Sequence, residues 1–352
     1  MATTPVNGQR PTTPPPSTDT VPAPIGATRL APPNQAQGQG TSGTGDTYQA
    51  SGLRPPQYQE GQQIGQTAGG VPVRTSREAG DYYCEHALFI SNEEAHQPNS
   101  SIVKDGNGDP AVTFLHYPGK LDQPGSADRQ AGAQQVVGSA LRGYVDAARG
   151  QVPANDSIKV LLTGYGAFGG AADNPTQNFV THPGNLDAAM DKGFGSQLVR
   201  NTDGTPKRED LAQQNGQPVY RYQIQDKDGN VRNVDVMSAL LKVDDSAIDG
   251  GGASLQKLEQ EFRPNAVINQ GVRPGGRSFD FETRADDGGM RRTGNLQFTE
   301  GNQARTREYE YENPSGANAF RAGQQAIEQD RTAAGSKPVS QIQPGARTIS
   351  PS

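Results

Sequence analysis

The chain of 352 residues holds one cysteine and four histidines, and these few groups narrow the chemistry open to it. A single thiol makes no internal disulfide and no multi-thiolate metal site, so a working Cys84 is a nucleophile or a redox thiol. The plain alternative is a small hydrophobe packed in the interior. Cys84 lies in the run GDYYCEHALFI, where Gly80 and Asp81 open a predicted helix and put the thiol in its first turn. Free backbone N–H groups and the helix dipole favour a thiolate there. Tyr82, Tyr83, Leu88 and Phe89 make an apolar surround that works the other way, so the thiol needs a cationic partner.

Position separates the four candidate partners. His116 ends the run AVTFLH, at the carboxyl end of a predicted buried strand that Pro118 stops; open α/β sheets collect their sites at that edge. A strand-end histidine bonded to backbone is the competing reading. His86 is two residues from Cys84 on the predicted helix and does not face it, while His96 and His182 lie in polar loop sequence. Glu282 follows the buried strand AVINQ and a Gly-Pro-rich turn, where isolated acids are usually solvated.

The elements that must position these groups follow from periodicity. Short apolar runs alternate with longer amphipathic segments, which predicts an α/β fold, a three-layer sandwich around a mostly parallel sheet. Predicted strands are Val71 to Arg74, Ala111 to His116, Ile158 to Thr163, Val236 to Val243 and Ala266 to Gln270. Predicted helices are Asp81 to Ser91, Arg129 to Arg149, Pro175 through Asn185 to Met190, and Ser254 to Phe262. Asn174 caps the third, Pro175 suits its first position, and Gln177 stands where a capping box has its reciprocal acceptor. The glycines of LLTGYGAFGG, at 164, 166 and 169, match G-x-G-x-x-G formally. A dinucleotide site, however, needs its helix to open inside the glycines, and the helix signal comes only at Asn174. No Lys-Ser or Lys-Thr follows, which removes a P-loop. A loop offering N–H groups to an oxyanion, with Tyr165 and Phe168 as apolar walls, fits better.

Composition bounds the rest. Residues 1–70 are dense in Pro, Gly, Thr, Ser and Gln, as is 331–352, so both are expected to be disordered arms flanking one domain over 71–330. Asp286 to Gln303 is expected to be a long polar loop beside the site. A net charge of −6 without a basic cluster argues against nucleic acid or anionic lipid as partners. No apolar stretch is long enough for a bilayer and no secretory signal opens the chain. The expected location is cytoplasmic, with export by a non-standard machine reading the arm left open. No metal or cofactor is expected, and the arms are free to meet a protein partner.

Taken together, these segments resemble pyroglutamyl peptidase, the cysteine omega-peptidase family that removes N-terminal pyroglutamate. That family opens with a strand and loop of the form TGFxPFGG followed by NPS; this chain has TGYGAFGG from Thr163 to Gly170, then Asn174, Pro175 and Thr176. A turn like IGQAGGR leading to ERVA corresponds to Val267 to Arg277 and to ETRA from Glu282 to Ala285. The nucleophile block, like SNTAGTFVCNH, is similar to SREAGDYYCEH, and the histidine block, like GFIHVPYLP, to TFLHYPGK. The resemblance implies Cys84, His116 and Glu282 as the catalytic set. It also implies a circular permutation, because the family's order is Gly loop, Glu, Cys, His. The halves 71–150 and 158–330 are then joined through Gly150 to Ser157.

The implied activity is cysteine amidohydrolysis on a peptide or small amide, with Phe168 and Asn174 helping to bind the acyl group. Departures bear on the substrate: Arg273 stands for a family Gln, Tyr165 for a pocket Phe, and Tyr83 for an aliphatic residue before the nucleophile. Two other classes remain: a non-catalytic interaction protein on the same scaffold that displays its polar arms to a partner, favoured if Cys84 and His116 lie well beyond hydrogen-bond reach, and a nucleotide-binding oxidoreductase, which needs a helix starting at Gly166 and a ribose-binding acid about twenty residues on, where Asp187 falls.

Overall fold

The computed structural model describes residues 56–77, 83–119, 126–167, 174–226, 228–243, 247, 254–273, 275–286 and 310–333. The expected arm up to residue 55, the tail beyond 333, the polar segment 287–303 and Phe168 lie outside them. The described residues fold as an α/β sandwich around one nine-stranded sheet. Its strands are β1 (Gln63–Gln66), β2 (Pro72–Ser76), β3 (Val112–Pro118), β4 (Ile158–Tyr165), β5 (Arg208–Gln214), β6 (Gln217–Gln225), β7 (Val231–Leu241), β8 (Ala266–Arg273) and β9 (Phe279–Glu282). They lie in the order β1-β2-β9-β3-β8-β4-β7-β6-β5.

The central strands β3, β8, β4 and β7 run parallel. β9 enters antiparallel to β3 and parallel to β2. Helices α1 (Tyr83–Ala95) and α5 (Leu255–Phe262) cover one face of the sheet, with a small ribbon of β10 (Arg284–Asp286) and β11 (Glu310–Glu312) beside α1. Helices α2 (Ser126–Arg149), α3 (Pro175–Thr181), α4 (Pro183–Phe194) and α6 (Ser315–Ala333) cover the other. Because both faces are covered, the central strands read as unbroken apolar runs: Val160, Leu161 and Leu162 in β4 and Val267 and Ile268 in β8 are wholly buried. On the α2 side, α6 comes so close that a Cβ on Gly143 would lie 2.1 Å from the carbonyl oxygen of Ala319.

Several expectations are corrected. Disorder through residue 70 does not hold for 56–70. Tyr58 is buried and donates to Asn318 Oδ1 at 2.8 Å, and β1 pairs with β2, with Gly65 set against Phe320 of α6. Contacts made far along the chain order a stretch whose own composition does not.

The single helix predicted from Pro175 to Met190 is two helices. Pro183 lacks the N–H that a continuous helix needs and holds His182 extended, at φ −112° and ψ 102°. The reciprocal half of the capping box is absent: Asn174 Oδ1 accepts from the N–H and hydroxyl of Thr176, and Gln177 does not reach back.

Strand β3 also continues two residues past His116, through Pro118. Glu282, expected in a loop, ends a sheet strand. The edge hairpin β5–β6 and helix α6 are additional to the predicted elements.

Candidate active site

Two strands and one helix bring Cys84, His116 and Glu282 together on the α1 side of the sheet. Side chains alternate along a strand, so Phe114 and His116 of β3 face α1, while Thr113 faces α6, where it would meet a Cβ on Gly316. In β9, Glu282 lies beside Phe114 and Asp280 beside His116, which puts both acids next to the imidazole. His116 Nδ1 meets Glu282 Oε1 at 2.6 Å, with both residues buried. The Cys84 thiol is within hydrogen-bonding reach of the same ring. With Nδ1 taken by Glu282, Nε2 is the nitrogen left for the sulfur.

Cys84 is the second residue of α1 and half-buried, in the turn whose N–H groups have no acceptor inside the helix. The predicted opening residues Gly80 and Asp81 lie outside the described residues. The strand beneath makes room for the thiol at Gly271, the β8 partner of His116. A Cβ there would lie 2.7 Å from the Phe114 ring and 3.2 Å from Cys84 Sγ. Gly271 is therefore part of the site that residue chemistry alone does not find; its signal is a glycine inside the unbroken run AVINQGV.

Burial alone would strip the proton from His116. The nearby Cys84 sulfur and the bonded Glu282 carboxylate outweigh it and raise the ring to about 10. A protonated imidazole in this position supplies the charge that a thiolate beside it would need. Burial pushes the Glu282 carboxyl up, and the hydrogen bond and charge of His116 oppose that push, with Ser76 and Arg273 acting in the same sense as His116.

The remaining predicted residues fall around this group. Tyr165 is buried, stacks on Phe114 at 6.3 Å and donates its hydroxyl to the Tyr83 carbonyl at 3.3 Å, so it ties the start of α1 to the end of β4. Its phenol is held well above the ordinary range, by burial first and then by Cys84 and Tyr83, and so stays a donor. Tyr83 is half-buried against the core. Asn174, expected to help bind the acyl group, is buried. Its Oδ1 caps α3 and its Nδ2 donates to the Gly166 carbonyl at 2.9 Å, so its amide holds the loop in place. Arg273, at the end of β8, is 41% exposed in its side chain and meets Asp280 at 3.5 Å.

The other histidines stay outside. His86 is buried in α1, His96 stacks on Tyr311 at 5.1 Å, and the exposed His182 donates from Nδ1 to the Asn178 carbonyl at 3.0 Å. The oxidoreductase reading fails by its own requirement, because the helix after the glycines begins at Pro175 rather than Gly166. The Cys84 sulfur is close enough to act on the His116 ring by charge and hydrogen bonding, so the separation that would count against catalysis is not seen.

Deeper on the same face runs a buried polar chain. Thr163 Oγ1 donates to Asn269 Oδ1 at 2.8 Å, Asn269 Nδ2 to Ser91 Oγ at 3.0 Å, and Ser91 Oγ to Glu259 Oε1 at 2.5 Å. It joins two sheet strands to α1 and α5.

Comparison of the chain with family models, with curated proteins and with solved structures finds no match. The case for a function therefore rests on the residues and their geometry. Among the described residues no helix is long and apolar enough to cross a membrane.

Proposed function

We propose that the protein is a cysteine amidohydrolase in which Cys84 is the nucleophile, His116 the general acid and base, and Glu282 the group that orients the imidazole and supports its charge. The observation that carries this reading is the His116 ring, bound at Nδ1 by Glu282 and in reach of the Cys84 thiol, all on one buried sheet face. In the proposed cycle the thiolate attacks an amide carbonyl carbon, and N–H groups in the first turn of α1 receive the oxyanion. The C–N bond breaks as His116 passes its proton to the leaving amine, leaving a thioester. Water then attacks the thioester carbon while His116 takes a proton; the acid leaves, and the thiolate–imidazolium pair is restored.

The likeness to pyroglutamyl peptidase supports an N-terminal acyl amide as substrate, with pyroglutamate the first to try. The test is release of a fluorophore from a pyroglutamyl amide by the parent and by Cys84→Ala. Turnover lost in the variant supports the reading. Turnover unchanged in the variant removes Cys84 as nucleophile, and none from the parent at high enzyme concentration removes the pyroglutamyl specificity.

A further inference from the structure

Gly271, where an added Cβ would meet the thiol, is followed two residues later on the same strand face by Arg273. Two residues of strand advance about 6.6 Å, so the Arg273 backbone sits one step outward from the sulfur and its side chain overlooks the same cleft. The turn after β8 fixes the base of that side chain. Gly276 donates to the Arg273 carbonyl at 2.9 Å, and a Cβ at 276 would come within 3.3 Å of the Arg273 Cβ.

The head is held loosely. Among the described residues its partner is Asp280 Oδ2 at 3.5 Å, beyond a well-formed charge-assisted bond. Asp280 is itself buried and fixed through its other oxygen by the Ser278 hydroxyl at 2.7 Å. A guanidinium carries five donors in a planar fork. One edge turned to a buried aspartate leaves the other edge for a second anion on the solvent side. The same charge reaches Glu282, whose ionised form it favours.

We infer that Arg273 is the specificity-determining residue of the cleft, and that it selects substrates whose acyl part carries a carboxylate, read by the outer edge of the guanidinium while Cys84 meets the amide carbonyl. This rests on Cys84 being the nucleophile and goes beyond it by naming the substrate class: an amide whose acyl part carries a carboxylate. Asp280 then serves as the anchor that aims the fork.

The test separates the two ideas by using the thiol without requiring turnover. Alkylation of the full chain is followed at neutral pH with neutral iodoacetamide and anionic iodoacetate, each rate divided by that of free cysteine. The parent should react with both faster than free cysteine and should favour iodoacetate. In Arg273→Gln the normalised preference for iodoacetate over iodoacetamide should drop about tenfold, with iodoacetamide still reacting faster than with free cysteine. Arg273→Lys, which keeps the charge and loses the fork, should fall between. Because protonated His116 also attracts anions, the drop between parent and Arg273→Gln is the deciding quantity. An unchanged preference in that variant overturns the inference and leaves the nucleophile standing. A parent no faster than free cysteine with either reagent overturns the nucleophile, and this inference with it.

Discussion

Replacing Glu259 by Gln tests the internal electrostatics of the site's support. The Glu259 carboxyl is buried between α5 and α1, and burial raises it from an ordinary 4.5 to about 8, against the pull of its bond from Ser91. Between those values the folded protein keeps a proton that the unfolded chain has lost, so stability falls as pH rises. The contribution is complete below about 4.5 and gone above about 8. At about 1.4 kcal/mol per tenfold in proton affinity, the part of the interval from pH 5 to 8 is worth about 4 kcal/mol. Gln keeps the oxygen that accepts from Ser91 but cannot ionise. Urea unfolding of parent and Glu259→Gln at fixed ionic strength, from pH 5 to 9, isolates the effect, because every other group titrates in both. The stability of the parent relative to the variant should fall by about 4 kcal/mol from pH 5 to 8, about 8 to 16 °C in melting temperature for a domain of this size. Parallel pH profiles would refute the neutral carboxyl and with it this account of how α1 is held.

Glu282→Gln removes a charge that helps hold the His116 proton, so the alkaline limb of Cys84 alkylation, expected near pH 10 in the parent, should move to lower pH. Gly271→Ala pushes a methyl against Phe114 and the thiol, and should slow alkylation at least about tenfold while costing about 1–3 kcal/mol in denaturant unfolding. Gly143→Ala forces α2 from α6, and should cost about 3 kcal/mol in the same measurement without altering the alkylation pH profile.

The central layer was readable because buried parallel strands carry a strong apolar signal: β3, β4 and β8 lie where AVTFLH, IKVLLT and AVINQ predict them, each running on a little further. The edges were harder for different reasons. The β5–β6 hairpin is mostly polar because its strands are half-exposed, yet Asn215-Gly216 at its turn, both at positive φ, is a strong hairpin signal that the strand pattern alone passes over. Helix α6 is marked only by Asn313-Pro314-Ser315, in which Asn313 Oδ1 accepts from the Ser315 N–H as Asn174 does from Thr176. Its apolar stripe is made of small residues, and its stability comes from packing on α2, which no local window contains. β1 is the extreme case, a polar strand ordered only by β2 and α6.

The site was legible at the level of residue types and not of faces. Its three groups come from separate stretches of chain, and what unites them is strand parity: even positions of β3 and β9 and odd positions of β4 and β8 all face α1. A slip of β9 by one residue would turn Glu282 toward α6 and bring Phe281 to the imidazole, which no arrangement of residue types in the sequence forbids. The lock is in the apolar partners. Phe279 and Phe281 are wholly buried on the α2 and α6 side, against Tyr117 and Phe320, so a slipped register would expel two aromatic rings from that core to bury two carboxylates in it. At about 1.5–3 kcal/mol for each buried ring, before any cost of the displaced acids, the hydrophobic face on one side of the sheet holds the His116–Glu282 pairing on the other. That coupling acts through register and not through chain order, so it is indifferent to which of these stretches comes first in the sequence.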